Sequence, residues 1–180
     1  FGYQEKFSKS KQNALIRRHQ TGEIRRTQDP AVYSVIYLPK QGTVCSIVIP
    51  SKDNPAALET VLKSIRERTG YTYYELIVVD NGSNEKNKNK ISALQEVYDF
   101  QYLYEPMEFN FSYMCNLGAK AAKGDFLLLL NDDIEIIEDN WLEILLGQAV
   151  LPEVGAVGAK LWYPDSRKIQ HAGITNMKIG

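Results

Sequence analysis

Two adjacent carboxylates, Asp132 and Asp133, follow an unbroken apolar run over residues 126–130. A run of this length is typical of a strand buried on both faces, as in a mainly parallel sheet. Neighbouring carboxylates repel each other unless a cation, a hydrogen-bond donor or water offsets their charge. Hard oxygen ligands suit Mg²⁺ or Mn²⁺, which can bridge to phosphate oxygens. The pair therefore predicts a site for a metal-bound phosphate, and a solvated acidic turn before a helix fits the same residues equally well.

Two further predicted strands end in polar residues. Residues 50–53 are Pro-Ser-Lys-Asp, and residues 80–83 are Asp-Asn-Gly-Ser. Ligands of open α/β sheets bind beyond the carboxyl ends of the strands, so both segments and the acidic pair are expected to meet at one edge. An ordinary β-to-α turn explains residues 80–83 as well, because these residue types are frequent in such turns. Three polar strand ends together favour a ligand site more than any one does.

The chemistry expected at this edge is recognition of a nucleoside diphosphate. Asp80 would accept hydrogen bonds from the ring N–H of uracil or thymine and from a ribose hydroxyl. The turn at Gly82-Ser83 would let the backbone approach the ligand closely. Asp133 would hold the metal against the diphosphate, and Asp132 would contact the ribose or a metal-bound water. This hypothesis requires Asp80 and Asp133 to face one cleft.

Several other kinds of site are disfavoured by the sequence. No Gly-x-Gly-x-x-Gly follows the first buried strand, and no Gly-x-x-x-x-Gly-Lys-Ser/Thr loop is present. His19 and His171 lie in unrelated contexts, so no serine or cysteine has a positioned base. A structural or packing role is expected for His171 rather than contact with a ligand. Cys45 and Cys115 lack metal-ligand spacing and are predicted to be reduced core thiols.

The composition is that of one domain of ordinary size, with 180 residues, 44% of them hydrophobic, 24% charged, and a net charge of -1. No basic excess indicates a nucleic-acid partner. The absence of a signal peptide and of a run of about 20 apolar residues predicts a cytoplasmic location. Basic residues crowd the N-terminal end: Lys6, Lys9, Lys11, Arg17, Arg18, Arg25 and Arg26. They predict a solvated helix face, with peripheral contact at the inner face of the membrane as the alternative.

The elements that must position these residues alternate along the chain. Strands are predicted over residues 33–38, 44–49, 75–79, 100–104, 126–130 and 154–162. Helices are predicted over residues 6–20 and 91–98, and Leu15 and Ile16 are the expected apolar contacts of the first. Three further helices are predicted to begin after an N-cap at Asn54, after an N-cap at Ser112, and at Asp139 or Asn140. Residues 23–30 are expected to form a connector and residues 84–90 a mobile segment. The alternation predicts an α/β domain with a largely parallel sheet.

The ordered motifs carry a resemblance to a known family. Residues 46–53 and 75–83, which read Ser-Ile-Val-Ile-Pro-Ser-Lys-Asp and Glu-Leu-Ile-Val-Val-Asp-Asn-Gly-Ser, resemble the start of a family-2 glycosyltransferase. The segments that follow in that family's order are 109–112, 116–119, 122–125 and 129–133. Residues 162–165 and 170–173 continue the resemblance in the manner of bacterial rhamnosyltransferase-like members. The resemblance spans about residues 44–173, most of the chain.

The resemblance implies a GT-A fold, a Rossmann-like and mainly parallel sheet flanked by helices, truncated at the C-terminus. Residues 1–43 would form an N-terminal helix and strand extension, and residues 44–180 the nucleotide-sugar-binding domain. By position, the resemblance implies that the nucleotide sugar is bound by Pro50, Ser51, Asp80, Asn81, Gly82, Ser83, Asn116 and Asp132. The Asp-x-Asp-type motif reads Asn131-Asp132-Asp133 here. Its first acid is therefore an amide, which places more weight on Asp133 as the ligand of Mn²⁺ or Mg²⁺, with Asp132 as the second candidate ligand.

The implied activity is metal-dependent, inverting transfer of a hexosyl or deoxyhexosyl group in polysaccharide synthesis. The donor would be a UDP- or TDP-sugar and the acceptor a glycan or a lipid-linked glycan. In similar proteins the catalytic base lies well beyond the Asp-x-Asp motif, so it is expected beyond Gly180. We therefore expect this chain, as part of a longer protein, to bind donor and metal but to transfer sugar poorly.

Two alternatives to a glycosyltransferase stay open. A nucleotidyltransferase on a similar fold would need a Gly-rich, Arg-containing loop after the first buried strand, and residues 49–52 do not supply one. A noncatalytic nucleotide- or carbohydrate-binding module would need the cleft but none of the transfer chemistry.

Overall fold

The computed structural model describes residues 2–29, 32–164, 166 and 168–173, with side chains from Lys9 onward. The chain divides into two compact units. The terminal unit comprises Phe1–Pro39 and Glu143–Gly180, and the central unit comprises Lys40–Leu142. All three predicted strand ends lie in the central unit.

The terminal unit begins with a helix and a hairpin. Helix α1 covers Gly2–Arg17, and the antiparallel strands β1 and β2 cover Gly22–Arg26 and Tyr33–Tyr37. The predicted connector over residues 23–30 is therefore wrong, because its first residues pair with β2 and expose their polar side chains in alternation. In α1, Leu15 is buried as predicted, whereas Ile16 is 63% exposed because successive helical residues face different directions.

The basic residues of the terminal unit lie mainly at its surface. Arg17, Arg18, Arg25 and Arg26 are exposed, and Arg25 pairs with Glu23 at 3.0 Å. The Lys11 ammonium lies 4.3 Å from the centroid of the Tyr33 ring. These positions agree with the solvated face that the sequence predicts. No helix among the described residues combines the length and the hydrophobicity needed to cross a bilayer.

The central unit is built on a four-stranded parallel sheet. Its strands are β3 (Cys45–Ser51), β4 (Tyr74–Asp80), β5 (Gln101–Tyr104) and β6 (Phe126–Leu129), in the spatial order β5-β4-β3-β6. Every residue of β3 is buried because this strand has neighbours on both sides. The registers Ser51↔Asp80 and Asp80↔Tyr104 bring three strands to an end at one edge. The predicted parallel sheet is confirmed.

Three helices connect these strands: α2 (Pro55–Arg68), α3 (Glu85–Tyr98) and α4 (Phe111–Ala121). A further helix, α5 (Trp141–Ala149), begins in the central unit and continues into the terminal unit. Val48, Ile77, Val79 and Met114 form a buried core cluster between the sheet and α4. A β-carbon at Gly118 would lie 2.2 Å from Val48 Cγ1, so α4 packs directly on β3 only because residue 118 is glycine.

Polar contacts join the strands at the amino-terminal edge of the sheet. Glu75 Oε1 accepts hydrogen bonds of 2.6 Å from both Ser46 Oγ and the backbone N–H of Lys123. The Gly124 N–H donates to Ser46 Oγ, and Asp125 Oδ2 accepts from the Val44 N–H. Glu75 thus links β4 to β3 and to the turn that leads into β6.

The strand before the acidic pair differs from its prediction. Leu127 and Leu129 are 52% and 54% exposed, so β6 is not buried on both faces. Among the described residues β6 pairs with β3 alone, which makes it an edge strand, and alternate side chains point to opposite faces. An unbroken apolar run does not distinguish such an edge strand from a central one.

Two helices of the central unit begin earlier than predicted. Residues 84–90 are not a mobile segment, because Asn84 caps α3 by accepting a 3.1 Å hydrogen bond from the Asn87 N–H. Asn110 rather than Ser112 caps α4, with its side chain accepting from the Tyr113 N–H at 3.0 Å. Asparagine is among the strongest N-cap residues, so both starts have a local cause.

The C-terminal part contains a short antiparallel pair, β7 (Leu161–Trp162) and β8 (Ile169–His171). The strand predicted over residues 154–162 forms only at its last two residues. Gly155 and Gly158 interrupt the preceding segment, which is consistent with the low strand preference of glycine. His171 is exposed, so a packing role for it is wrong, whereas a structural role within β8 stays a prediction. The Pro164-Asp165 pair predicts a turn, and Asp165 lies outside the described residues.

Both cysteines are free and buried, as predicted. Burial raises the pKa of the Cys45 thiol to about 12, which keeps it protonated and unreactive at neutral pH.

Candidate functional site

An open cleft of about 310 Å³ lies at the carboxyl edge of the sheet in the central unit. Three segments supply its lining residues: Pro50, Ser51, Lys52 and Asn54 after β3; Phe109, Phe111 and Met114 around the start of α4; and Asn131, Asp132 and Asp133 after β6. Two of the three predicted polar strand ends therefore line one cleft. The third, at residues 80–83, is buried at the same edge.

A hydrogen bond joins the two strand ends that line the cleft. Ser51 Oγ donates to Asp132 Oδ2 at 2.7 Å, across 81 positions of sequence. Burial raises the pKa of Asp132, the Ser51 hydroxyl opposes that rise, and the charge of Asp133 adds to it. The Asp132 carboxylate thus has a neutral hydrogen-bond donor on one side and the negative charge of Asp133 beside it. This arrangement of charges favours a cation next to Asp132.

The donor set suits a divalent metal with a phosphate ligand. Asp133 is exposed and Asp132 is half-buried, and both line the cleft. No group of three or more His, Cys, Asp or Glu side chains with metal-site geometry occurs among the described residues. Mg²⁺-type sites commonly use one or two carboxylates, with phosphate oxygens and water completing the coordination. Asp132 and Asp133 fit that pattern.

Asp80 does not face the cleft. Its side chain is fully buried, and Asp80 Oδ1 accepts from the Ser83 N–H at 2.8 Å and from Ser83 Oγ at 2.7 Å. Asp80 Oδ2 accepts a hydrogen bond from the Tyr102 hydroxyl. The expectation that Asp80 and Asp133 face one cleft is therefore wrong for Asp80. A contact between Asp80 and a base stays a prediction that requires Ser83 or Tyr102 to release the carboxylate.

Asn81, Gly82 and Ser83 form a tight turn behind the cleft. Asn81 is fully buried, and its Nδ2 donates to the Met107 carbonyl at 2.9 Å, while its Oδ1 has no partner among the described residues. Gly82 has φ +77, and a β-carbon there would lie 2.8 Å from Pro106 Cα. The glycine is thus required by backbone conformation and by space. A ligand role for these three residues stays a prediction.

Some lining residues were not among the predicted site residues, and one predicted residue is elsewhere. Asn116 is exposed on α4 and does not line the cleft. Phe109 and Phe111 line the cleft with 71% and 45% exposure, and Lys52 adds a cation. Their signal in the sequence is a Phe-Asn-Phe segment at a strand-to-helix connection. Apolar side chains at such a connection lie outside the strands that form the core, so they are available to contact a ligand.

A larger open cleft, of about 730 Å³, lies at the amino-terminal edge of the same sheet. Its lining includes Tyr71, Tyr74, Glu75, Tyr98 and Lys123, and none of its residues belongs to the three polar strand ends. We assign the functional site to the smaller cleft, because ligands of parallel sheets bind at the carboxyl ends of the strands.

The sheet and its connections define the class of fold. The central unit has the α/β arrangement of a GT-A glycosyltransferase. A solved structure of this kind, the mannosyltransferase PcManGT from Pyrobaculum calidifontis in complex with GDP-Man and Mn²⁺, has a TM-score of 0.57 and 18% sequence identity. The similarity covers 62% of this chain and 33% of that one. The expected GT-A fold is confirmed.

Residues 46–176 match the sequence profile of Glycosyl transferase family 2, and the chain belongs to this family. It is 40% identical over 148 residues to the uncharacterized protein y4gI of Sinorhizobium fredii, covering 81% of this chain and 16% of that protein. It is 36% identical over 163 residues to the O-antigen biosynthesis protein RfbC of Myxococcus xanthus, covering 89% and 12%. The chain thus spans about an eighth to a sixth of the length of these relatives.

Proposed function

We propose that this chain is the donor-binding part of a glycosyltransferase that builds a polysaccharide. It binds a nucleoside-diphosphate sugar together with Mn²⁺ or Mg²⁺, and the whole protein transfers the sugar to a glycan or lipid-linked acceptor. Family membership supports the reaction class. Similarity to an O-antigen biosynthesis protein supports a polysaccharide product, and a rhamnosyltransferase-like specificity is the narrower proposal.

The observation that carries this proposal is the hydrogen bond between Ser51 and Asp132, with Asp133 beside it. It brings the ends of β3 and β6 together at the one edge of a parallel sheet where a phosphate ligand is expected. The two carboxylates would repel a bare diphosphate, so the proposal includes a metal.

Each part of the cleft has a role in binding the donor. Asp133 and Asp132 would hold the metal, which when bound neutralises charge on the departing diphosphate. Ser51 keeps the Asp132 carboxylate oriented toward the cleft. Lys52 supplies a positive charge for the diphosphate, and Phe109 with Phe111 offers an apolar surface for the nucleoside or the sugar.

The acceptor and the proton transfer belong to the rest of the protein. An inverting displacement needs a carboxylate that takes the proton of the acceptor hydroxyl. Glu135, Glu138 and Asp139 do not line the cleft, so we propose that another part of the protein supplies the base. A cytoplasmic location completes the proposal, with contact between the basic N-terminal residues and the inner face of the membrane as the alternative to a solvated surface.

Calorimetric titration of the chain with UDP, TDP and GDP, each with and without Mn²⁺, tests the proposal. We expect one nucleotide to bind in a metal-dependent manner. Replacement of Asp133 by alanine should weaken that binding at least about 10-fold, the usual cost of disturbing a metal site. Glu135→Ala is the matched control, because Glu135 is an exposed carboxylate two positions away that does not line the cleft.

The outcomes separate the candidate functions. Equal loss in the Glu135→Ala control, or binding that ignores Mn²⁺, contradicts the metal role of Asp133. Failure of every nucleotide to bind contradicts the proposal and favours a noncatalytic carbohydrate-binding module. Rapid sugar transfer to a simple acceptor by this chain alone would contradict the placement of the base.

A further inference from the structure

Asp53 lies between two cleft-lining residues but does not itself line the cleft. Lys52 and Asn54 belong to the lining, whereas Asp53 points into the neighbouring loop. The residue is exposed and has φ +52, a conformation that glycine, asparagine and aspartate tolerate best. Glycine would adopt this conformation with the least strain. The chain has aspartate there instead, and its carboxylate accepts several hydrogen bonds.

The Asp53 carboxylate ties its own loop to the start of α3. Asp53 Oδ1 accepts from the Asn84 N–H at 2.9 Å, from Asn84 Nδ2 at 2.6 Å and from Asn87 Nδ2 at 3.0 Å. Asn87 Nδ2 also lies 3.3 Å from the Asp53 carbonyl. These hydrogen bonds lower the pKa of Asp53, with the Asn87 side chain as the largest cause. The acceptor is therefore charged at neutral pH.

A second set of hydrogen bonds continues from the Asp53 backbone into the sheet. The Asp53 N–H donates to Ser83 Oγ at 2.7 Å, and Ser83 Oγ donates in turn to Asp80 Oδ1. Tyr102 on β5 donates to the other oxygen of Asp80. The loop after β3 is thus joined to the buried turn after β4 and to β5.

We propose that Asp53 is a positioning residue for the nucleotide-sugar cleft. By holding the segment between Ser51 and Asn54 against the rigid start of α3, it fixes the direction of Lys52 and Asn54 before the ligand arrives. Preorganised groups bind more tightly because no ordering cost remains at the moment of binding. The inference rests on the proposed function, since it concerns the same cleft.

Two substitutions at position 53, with a control at position 99, separate the carboxylate from the backbone conformation. Asp53→Asn keeps both the oxygen acceptor and tolerance of positive φ. Asp53→Gly keeps only the tolerance of φ and loses the acceptor. Asp99→Gly is the matched control, because Asp99 also has positive φ, at +49, and is exposed at the end of α3 away from this cleft.

Two measurements are needed, one of them without ligand. Amide hydrogen exchange should rise at Lys52, Asp53 and Asn54 in Asp53→Gly, and stay unchanged there in Asp99→Gly and Asp53→Asn. The Kd for the nucleotide that binds wild type with Mn²⁺ should rise about 10-fold in Asp53→Gly. In Asp53→Asn the Kd should stay within about 2-fold of wild type, since the acceptor is retained.

The results distinguish this inference from the proposed function. Wild-type protein that binds no nucleotide overturns the proposed function, and this inference with it. Wild-type binding together with an unchanged Kd in Asp53→Gly overturns the positioning role alone. So does an equal loss of affinity in Asp99→Gly, since that effect would follow from lost stability rather than from the loop.

Discussion

The hydrogen bond from Ser51 to Asp132 is the smallest feature on which the candidate site depends. It is 2.7 Å long and connects residues from two different strand ends. Ser51 is only 4% exposed, so its hydroxyl has little access to water as an alternative partner. The bond therefore fixes where the Asp132 carboxylate lies and opposes the rise of its pKa.

Replacement of Ser51 by alanine should weaken metal-dependent nucleotide binding about 5-fold, the equivalent of one ordinary hydrogen bond. The cause is a carboxylate that loses its donor while the charge of Asp133 remains beside it. Titration calorimetry measures the effect. Ser112→Ala is the control, because Ser112 is exposed on α4 and does not line the cleft. Unchanged affinity in Ser51→Ala would mean that Asp132 does not contact the ligand or its metal.

At the scale of secondary-structure elements, Glu75 holds the amino-terminal edge of the sheet. Burial alone would raise the pKa of Glu75, but hydrogen bonds from Ser46 and the Lys123 N–H outweigh it, and the net effect lowers the pKa. A carboxyl whose pKa is lowered by folding stabilises the native state above its unfolded pKa. That stabilisation is lost as the pH falls through the folded pKa.

Glu75→Gln should therefore flatten the dependence of stability on pH. Wild type should lose free energy of unfolding as the pH falls below the ordinary pKa of glutamate and through the lower folded pKa of Glu75, and the variant should lose less. At neutral pH the variant should be less stable by about 1 kcal/mol, since an amide oxygen is a weaker acceptor than a carboxylate. Urea unfolding at several pH values measures both effects. Parallel curves for the two proteins would show that Glu75 does not titrate differently on folding.

At the scale of the whole molecule, local patterns predicted the sheet better than they predicted the site. The apolar runs of β3 and β4, and the helix that follows Asn54, were sufficient for a parallel α/β fold, although the Asn54 side chain makes no capping hydrogen bond. The buried Asp80 accepts a hydrogen bond from Tyr102, a residue that the register of β4 and β5 places opposite Val78 on the neighbouring strand. Contacts of that kind have no local signal.

The prediction that β6 is buried on both faces was wrong for the same reason. Residues 126–130 are apolar in a row, as a central strand would be, and nothing within the run reveals how many neighbours it has. The starts of α3 and α4 were within reach of the sequence, since Asn84 and Asn110 are good N-cap residues. The acidic pair alone fits a metal-phosphate site and a solvated turn equally well. The motifs that resemble the family favoured the metal-phosphate site.

The exposed leucines of β6 bear on how the protein behaves at high concentration. An apolar strand with an unpaired edge can recruit another chain, so concentrated samples should cluster reversibly while remaining folded. Leu129→Lys should lower the average sedimentation coefficient at high concentration with little change in melting temperature, because Leu129 is 54% exposed. Leu128→Lys, on the half-buried face, should instead cause unfolding. Equal unfolding by both lysine substitutions would mean that the outer face of β6 is covered in solution. If only Leu128→Lys unfolds the protein, the tendency of this domain to associate can be changed at Leu129 without changing its fold.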